Sequence, residues 1–304
     1  MSLQPAPETG AVHRAGRVAL VGRPNVGKST LLNRLVGSRI SITSGRPQTT
    51  RQRVTGIVTR ADAQIVFVDT PGFQREHQSA LNRAMNRGVT AGLQDVDAVV
   101  WLVEALKYDR RDEVVADLLA GNAPVILAIN KTDAVRDRKL LLPFIARLSG
   151  LRKFEAIIPV SAEKGWQLTE LLDVIVPLLP EGPPSYDEDD ITTVSERFLA
   201  AELLREKLFR LLGDELPYAS TVEIDLFKQE GDMRRIHASI VVDKEGQKPI
   251  VIGKGGKQLK AIATQARRDM ERLFGGKVFL EVWVKVKRGW AESESALKRM
   301  GFDI

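Results

Sequence analysis

Residues 22–29 constrain the fold most, because they read Gly-Arg-Pro-Asn-Val-Gly-Lys-Ser and directly follow the short apolar run 18–21. This order fits G-x-x-x-x-G-K-[ST], a pattern whose glycines let successive backbone N–H groups turn inward around a phosphate. A helix predicted over 29–35 adds an N-terminus that favours anions. The pattern places Lys28 on the β- and γ-phosphates and Ser29 on Mg²⁺. The predicted phosphate-binding residues are Gly22, Arg23, Pro24, Asn25, Val26, Gly27, Lys28, Ser29, Thr30 and, further along, Gly72.

Length and composition limit what else the chain can hold. Its 304 residues have room for one ordinary domain and a second, smaller one. With 43% hydrophobic and 28% charged residues, the composition is that of a globular protein. Cysteine is absent from the sequence, which excludes disulfides, thiolate zinc sites and cysteine nucleophiles. No apolar run approaches the ~20 residues of a membrane-spanning helix, and residues 1–15 are predicted to be a disordered leader.

Short apolar runs alternate with helical patterns through the first part of the chain. This alternation predicts an α/β domain over residues 16–180 with a mostly parallel sheet, in which ligands bind at the carboxyl ends of the strands. The predicted strands cover 18–21, 64–68, 98–103, 124–129 and 156–160.

Four of these predicted strands end in groups with recognisable chemistry. The second ends in Asp69-Thr70-Pro71-Gly72, where Asp69 can hold Mg²⁺ through a water and the Gly72 N–H can reach a γ-phosphate. The fourth ends in Asn130-Lys131-Thr132-Asp133, in which the Asp133 carboxylate can accept two hydrogen bonds from guanine, whereas adenine has no such donor pair. Lys131 can cover the base plane, Asn130 can tie this loop to residues 22–29, and the backbone of Ser161 and Ala162 can meet guanine O6.

These elements resemble, in content and in order, those of the translation-factor-related GTPases. The resemblance implies that residues 44–51 are the switch I segment, with Thr50 on Mg²⁺; an ordinary solvated loop is the alternative. The predicted switch I residues are Gln48, Thr49, Thr50 and Arg51, and the predicted switch II residues are Asp69, Thr70, Pro71, Gly72 and Phe73.

Phe73 stands where Ras-like proteins carry the glutamine that positions water. Because a phenyl ring cannot orient a water molecule, the sequence predicts slow intrinsic hydrolysis. In GTPases with a hydrophobic residue at this position, the resemblance implies that Asn25 helps to hold a K⁺ ion that supplies charge in the transition state.

A second domain is predicted after a linker over residues 181–194, which contains prolines and four consecutive acids. Residues 195–304 follow the order α-β-β-α-α-β with a closing C-terminal helix, and residues 253–256 read Gly-Lys-Gly-Gly. This G-x-x-G loop between two helices resembles the signature of a small α+β type II KH domain, which clamps about four single-stranded nucleotides. A helix-linking turn is the alternative.

Charge favours the nucleic-acid interpretation of this domain. Residues 248–288 carry eleven basic and three acidic side chains, a net +8, against +6 for the whole chain. The predicted RNA-binding residues are Gly253, Lys254, Gly255, Gly256, Lys257 and Lys260.

A GTPase domain followed by a KH domain resembles a family that acts in assembly of the small ribosomal subunit. The resemblance implies GTP, GDP and Mg²⁺ as ligands, the 3′ end of small-subunit ribosomal RNA and the small subunit as partners, and a nucleotide state that sets how the two domains sit. A cytoplasmic monomer is expected, and the family's peripheral membrane association has no visible determinant here. The alternatives are a related GTPase that acts on another RNA, and an RNA-binding scaffold that holds GTP with negligible turnover.

Overall fold

The computed structural model describes residues 12–44, 46, 49–73, 79–119, 123–213, 215–300 and 302. The predicted leader therefore lies mostly outside the described residues, as does Gln48. The first strand begins at Arg14, two residues before the predicted start of the first domain. The first unit contains β1 (Arg14–Val21), α1 (Lys28–Val36), β2 (Val54–Thr59), β3 (Ala63–Asp69), α2 (Ala80–Leu93), β4 (Ala98–Glu104), α3 (Arg110–Leu118), β5 (Val125–Asn130), α4 (Leu141–Ser149), β6 (Ala156–Pro159) and α5 (Leu168–Ile175).

Within the described part of the chain, a six-stranded sheet has the order β2-β3-β1-β4-β5-β6. β1 is parallel to β3 and β4, and β4, β5 and β6 continue in parallel, so the predicted strand ends meet at one edge. β2 pairs antiparallel with β3 and was not predicted. A glycine weakens the strand signal at the middle of β2. Packing requires it, since a Cβ on Gly56 would lie 2.5 Å from Leu32 Cδ1.

Two apolar layers cover the faces of this sheet. β3, β4 and β5 are almost entirely buried, as strands covered on both faces must be. One face packs against α1 and α5, and the other packs around the fully buried Trp101 with side chains of α3 and α4. The rigid sheet holds the loops at its edge in fixed positions.

The second unit packs helices on one face of a three-stranded sheet. Its elements are α6 (Glu196–Leu211), β7 (Ser220–Glu230), β8 (Met233–Val242), α7 (Lys248–Ile252), α8 (Lys257–Phe274), β9 (Lys277–Val286) and α9 (Glu294–Arg299). β8 lies between β7, with which it is antiparallel, and β9, with which it is parallel. Residues of α6, α7 and α8 form one core with the sheet. Ser195 caps α6 by accepting the Phe198 N–H.

The segment between the units is ordered along the first sheet. Gln64 on β3 accepts the N–H groups of Ser185 and Tyr186 through its side chain, and Ile57 N donates to Ile191 O over 2.9 Å. These bonds follow the edge strand β2 and its neighbour, so the segment docks on the first domain. Among the helices that the structure describes, none has both the length and the apolar character to cross a membrane.

Candidate nucleotide site and RNA-binding loop

The loop between β1 and α1 packs closely against Leu102 and Asn130, which explains its two glycines. A Cβ on Gly22 would lie 2.6 Å from Leu102 O, and one on Gly27 would lie 2.3 Å from Asn130 Nδ2. Gly27 has φ 102° and Asn25 has φ 64°, so the chain turns in the left-handed region twice within the loop. The loop therefore has little freedom to adopt another shape.

Lys28 is the first residue of α1, directly after this loop, and is 6% exposed. Its Nζ donates to Gly22 O over 2.9 Å and to Arg23 O over 3.2 Å. Burial lowers the pKa of Lys28 to about 8, an effect that the nearby Asp69 opposes. The cation is thus positioned at the loop by carbonyl groups and is ready to be stabilised further by an anion.

Nucleotide affinity is expected to fall as pH rises above about 8, because phosphate binding favours the charged form of Lys28. Below that pH the ammonium is already present and affinity stays constant; above it, each pH unit costs up to about tenfold. Titrations with a fluorescent GDP derivative between pH 6.5 and 9.0 measure this, and calorimetry at pH 8.5 in two buffers detects the proton uptake. A flat profile without proton uptake would contradict the assignment.

Three oxygen-bearing side chains converge beside Lys28. Ser29 Oγ lies 2.8 Å from Thr50 Oγ1 and donates to Asp69 Oδ2 over 2.8 Å. Ser41, which the sequence analysis missed, also donates to this oxygen over 3.0 Å. Burial raises the pKa of Asp69, whereas Lys28 and the hydroxyl groups lower it. The other carboxylate oxygen, Oδ1, is buried and has no hydrogen-bond partner among the described residues. Hard oxygen ligands and an unsatisfied carboxylate oxygen fit Mg²⁺.

One cavity of about 270 Å³ joins these groups, because its wall contains residues of 24–30, of 42–44 and of 49–50 together with Gly72 and Lys131. Gly72 packs against the loop, where a Cβ would lie 2.7 Å from Pro24 Cγ. The lining residues are Pro24, Asn25, Gly27, Lys28, Ser29, Thr30, Ile42, Thr43, Ser44, Thr49, Thr50, Gly72 and Lys131.

The predicted base-binding residues form a linked group next to this cavity. Asn130 Nδ2 donates to Val26 O over 2.8 Å, while Asn130 Oδ1 accepts the Ala162 N–H over 2.9 Å, so one amide joins three loops. Ser161 Oγ donates to Asp133 Oδ1 over 2.6 Å and thereby orients the carboxylate. The geometry brings together every predicted guanine-contact residue.

Two carboxylate side chains that the sequence did not indicate, Glu104 and Asp112, bind predicted site residues. Glu104, at the end of β4, accepts a hydrogen bond from Lys131 Nζ over 2.8 Å. Arg23 Nε donates to the buried Asp112 over 3.1 Å, and its Nη2 lies 3.5 Å from Glu104. The side chain of Arg23 is thus committed to carboxylates. No local sequence motif indicates Glu104 or Asp112, because only tertiary packing brings them next to Lys131 and Arg23.

Phe73 is not among the described residues that line the cavity of Lys28, although Gly72 before it is. It lines an apolar cleft with residues of α2 and α3, among them Val89, Leu93 and Val115. This placement agrees with the prediction that Phe73 does not orient water.

The G-x-x-G loop in the second unit is a single turn between α7 and α8. Gly253, Gly255 and Gly256 have φ values of 74°, 60° and 75°. A Cβ on Gly253 would lie 2.6 Å from Gln258 Cβ, whereas Cβ atoms on Gly255 and Gly256 would meet nothing within 4 Å. The loop therefore presents open backbone at its last two glycines.

Exposed lysines surround this loop. Lys248, Lys254, Lys257 and Lys260 are exposed, and in the part of the chain that the structure describes none of them forms an ion pair. At the end of β9, by contrast, Lys285 pairs with Asp225, and Lys287, directly after the strand, pairs with Glu223. Exposed lysines without ion pairs among the described residues therefore lie before, within and after the G-x-x-G loop.

The two units together define a P-loop GTPase followed by a KH domain. Residues 17–131 match a family model described as 50S ribosome-binding GTPase, and residues 215–291 match a KH domain model. Solved relatives extend the similarity to nearly the whole chain. A variant of Era from Aquifex aeolicus bound to GDP·AlF4⁻ has 39% identity and a TM-score of 0.92, and covers 96% of this chain and 100% of its own. Era in complex with MgGDPNP and nucleotides 1506–1542 of 16S ribosomal RNA has 38% identity, the same TM-score and the same coverage.

Curated relatives are still more similar in sequence. GTPase Era of Nitrosomonas eutropha is 56% identical over 96% of this chain and 98% of its own length, and GTPase Era of Chromobacterium violaceum is 56% identical over 95% and 97%. The chain belongs to the Era family of GTPases.

Proposed function

We propose that this chain binds the 3′ end of small-subunit ribosomal RNA through its KH domain and acts in small-subunit assembly as a GTP-dependent switch. The observation that carries the RNA contact is the group of exposed lysines without ion pairs around the open G-x-x-G loop. The relative solved with nucleotides 1506–1542 of 16S ribosomal RNA supports the choice of RNA. Action as a cytoplasmic monomer belongs to the proposal, and peripheral membrane association stays a prediction.

The roles proposed for the nucleotide-site residues follow from their positions. Lys28 and the N–H groups of its loop bind the phosphates, and Gly72 reaches the γ-phosphate. Asp133 reads the guanine edge, and Asn130 keeps the base loop in register with the phosphate loop. The domain limits proposed are 16–180 for nucleotide binding and 195–304 for RNA binding.

Ser29, Thr50 and Asp69 would hold Mg²⁺, with Asp69 acting through a water molecule. When bound, the ion neutralises charge on the β- and γ-phosphates. The protein contributes by fixing the ligand oxygens in advance, since Ser29 already bonds both of its neighbours in this group. Asn25 would help to hold K⁺ at the phosphates.

Hydrolysis is expected to rise by roughly 10²-fold when Na⁺ is replaced by K⁺, as is typical for gain or loss of one transition-state charge stabiliser. Asn25→Ala should remove the gain and leave GDP affinity unchanged. Phosphate release at equal ionic strength in the two salts, with GDP titrations in both as the control, measures this. Equal rates in both salts would exclude the K⁺ role.

Two alternatives differ from the proposal in measurable ways. A scaffold that holds GTP with negligible turnover would release no phosphate even with K⁺ and RNA present. A related GTPase for another RNA would bind other sequences.

Crosslinking the protein to RNA in cells, followed by sequencing, tests the proposal. Reads concentrated at the 3′ end of the small-subunit RNA support it, and reads concentrated on another RNA contradict it.

A further inference from the structure

The end of switch I is buried between the two domains. Thr49, Thr50 and Arg51 are 8%, 7% and 3% exposed. Thr50 points to the group formed by Ser29 and Asp69, and Arg51 is the next residue. One dipeptide therefore reaches the nucleotide site with one side chain and the KH domain with the other.

Arg51 inserts its guanidinium into the KH domain. Nη1 donates to Ser220 O over 2.9 Å, and Nη2 donates to Pro217 O and Tyr218 O, each over 3.1 Å. The guanidinium carbon lies 5.9 Å from the ring centre of Phe209 and 5.6 Å from that of Trp290. Burial lowers the pKa of Arg51 to about 9, so the group remains a cation at neutral pH.

Helix α6 also contacts Thr49 of switch I and the segment just before switch I, from the same side. Arg205, which is 2% exposed, donates through Nη2 to Thr49 O. Arg210 Nη2 donates to Thr43 O over 3.3 Å. Ahead of the segment, Arg39 pairs with Glu206 of α6 and with Asp269 of α8, the helix that begins at the G-x-x-G loop. The segment just before switch I and the last residues of switch I are thus both attached to the KH domain.

We propose that Arg51 is a positioning residue for GTP hydrolysis, seated by the KH domain so that Thr50 meets Ser29 and Asp69 at the metal position. The inference rests on the proposed role of Thr50 as a metal ligand. Adjacent Cα atoms are about 3.8 Å apart. When several hydrogen bonds from its guanidinium hold Arg51 in place, Thr50 therefore has little room to move. The three carbonyl groups fix the guanidinium through separate N–H donors, which a point charge such as an ammonium cannot reproduce.

The binding of Arg51 by carbonyl groups of the KH domain also makes hydrolysis depend on how the two domains dock. If the KH domain moves, Pro217, Tyr218 and Ser220 move with it, and Arg51 loses its acceptors. Thr50 is then released from the metal group. Displacement of a catalytic group by about 1 Å can cost on the order of 10²-fold in rate. A ligand that moves the KH domain would therefore change the rate of hydrolysis without contacting the nucleotide.

Single-turnover hydrolysis of saturating Mg·GTP by the full chain tests the inference. Arg51→Ala should lower the rate on the order of 10²-fold and leave Mg·GDP affinity unchanged, because GDP has no γ-phosphate for switch I to enclose. The hydrolysis rate of Arg51→Lys should lie between the rates of the wild type and of Arg51→Ala. Gln52→Ala is the matched control: it removes another bond between the domains, Gln52 Nε2 to Met300 O over 2.8 Å, and should keep the wild-type rate.

A double-mutant cycle with Thr50→Ala separates positioning from general destabilisation. If Arg51 acts through Thr50, the double variant should hydrolyse no more slowly than Thr50→Ala alone. Multiplied losses, or a wild-type rate for Arg51→Ala with its melting temperature reduced, would overturn the inference and leave Arg51 as a structural residue. A wild-type rate for Thr50→Ala would instead overturn the proposed metal role of Thr50, and the inference with it.

Discussion

Asp133→Asn is expected to weaken GDP binding by roughly 10²- to 10⁴-fold, because two hydrogen bonds to a charged acceptor are lost at about 1.5 to 3 kcal/mol each. The same change should create a preference for xanthosine diphosphate. Ser161 Oγ donates to Asp133 Oδ1 over 2.6 Å, so an amide at this position keeps its oxygen toward Ser161. Its NH₂ then faces the base, where xanthine has a carbonyl oxygen in place of the guanine amine.

Competition titrations with GDP and xanthosine diphosphate measure this change of preference. Asp137→Asn is the control, since it removes an equal charge from an exposed residue four positions along, whose carboxylate accepts the Lys139 N–H. The control should keep guanine selectivity. If Asp133→Asn also kept it, another residue would read the base, and the proposed role of Asp133 would be lost.

The nucleotide site could be predicted from the sequence because each of its parts is local. Residues 22–29 contain their own turn glycines and cation, and the groups at 69–72 and 130–133 each follow a buried strand directly. Parallel strands bring such ends to one edge of a sheet, so spacing along the chain was enough to place Asp69 and Asp133 at the same edge as Lys28. The family comparisons confirm the fold class that this reasoning predicts.

What the sequence could not predict depends on contacts between distant elements. Glu104 supports Lys131, and Ser41 reaches Asp69, only after β4 and the segment before switch I have packed. The seat of Arg51 is formed by carbonyl groups, which carry no side-chain signature in any sequence. β2 was missed for a different reason: its central Gly56 weakens the local strand pattern, and pairing with β3 compensates.

The G-x-x-G loop shows the same limit at a smaller scale. The sequence pattern does not show which of its glycines have positive φ; Gly253 and Gly256 have values of 74° and 75°. The structure also gives Gly255 a φ of 60°, with open space around it. A substitution at Gly255 therefore meets mild backbone strain and no clash, and Asp is among the residues that tolerate this region best.

Lys254→Asp combined with Gly255→Asp is expected to abolish binding to single-stranded RNA from the 3′ end of the small-subunit RNA, with GDP binding unchanged. Both residues lie in the turn before α8, among exposed lysines without ion pairs, so two carboxylates would face the phosphate backbone. Any residual binding should depend less on salt, with a slope smaller by roughly 0.7 for each lost phosphate contact. Anisotropy titrations at two salt concentrations measure both effects.

The β7–β8 hairpin offers a matched control in Lys228→Asp with Gly231→Asp. Gly231 has a φ of 59° and nothing within 4 Å of a Cβ, so the control carries the same charge change and the same backbone strain in the same domain. It should weaken RNA binding only by the general loss of positive charge, an effect that added salt screens. If the two double variants bound equally well at both salt concentrations, the G-x-x-G loop would be a helix-linking turn, and the RNA would contact another surface of the chain.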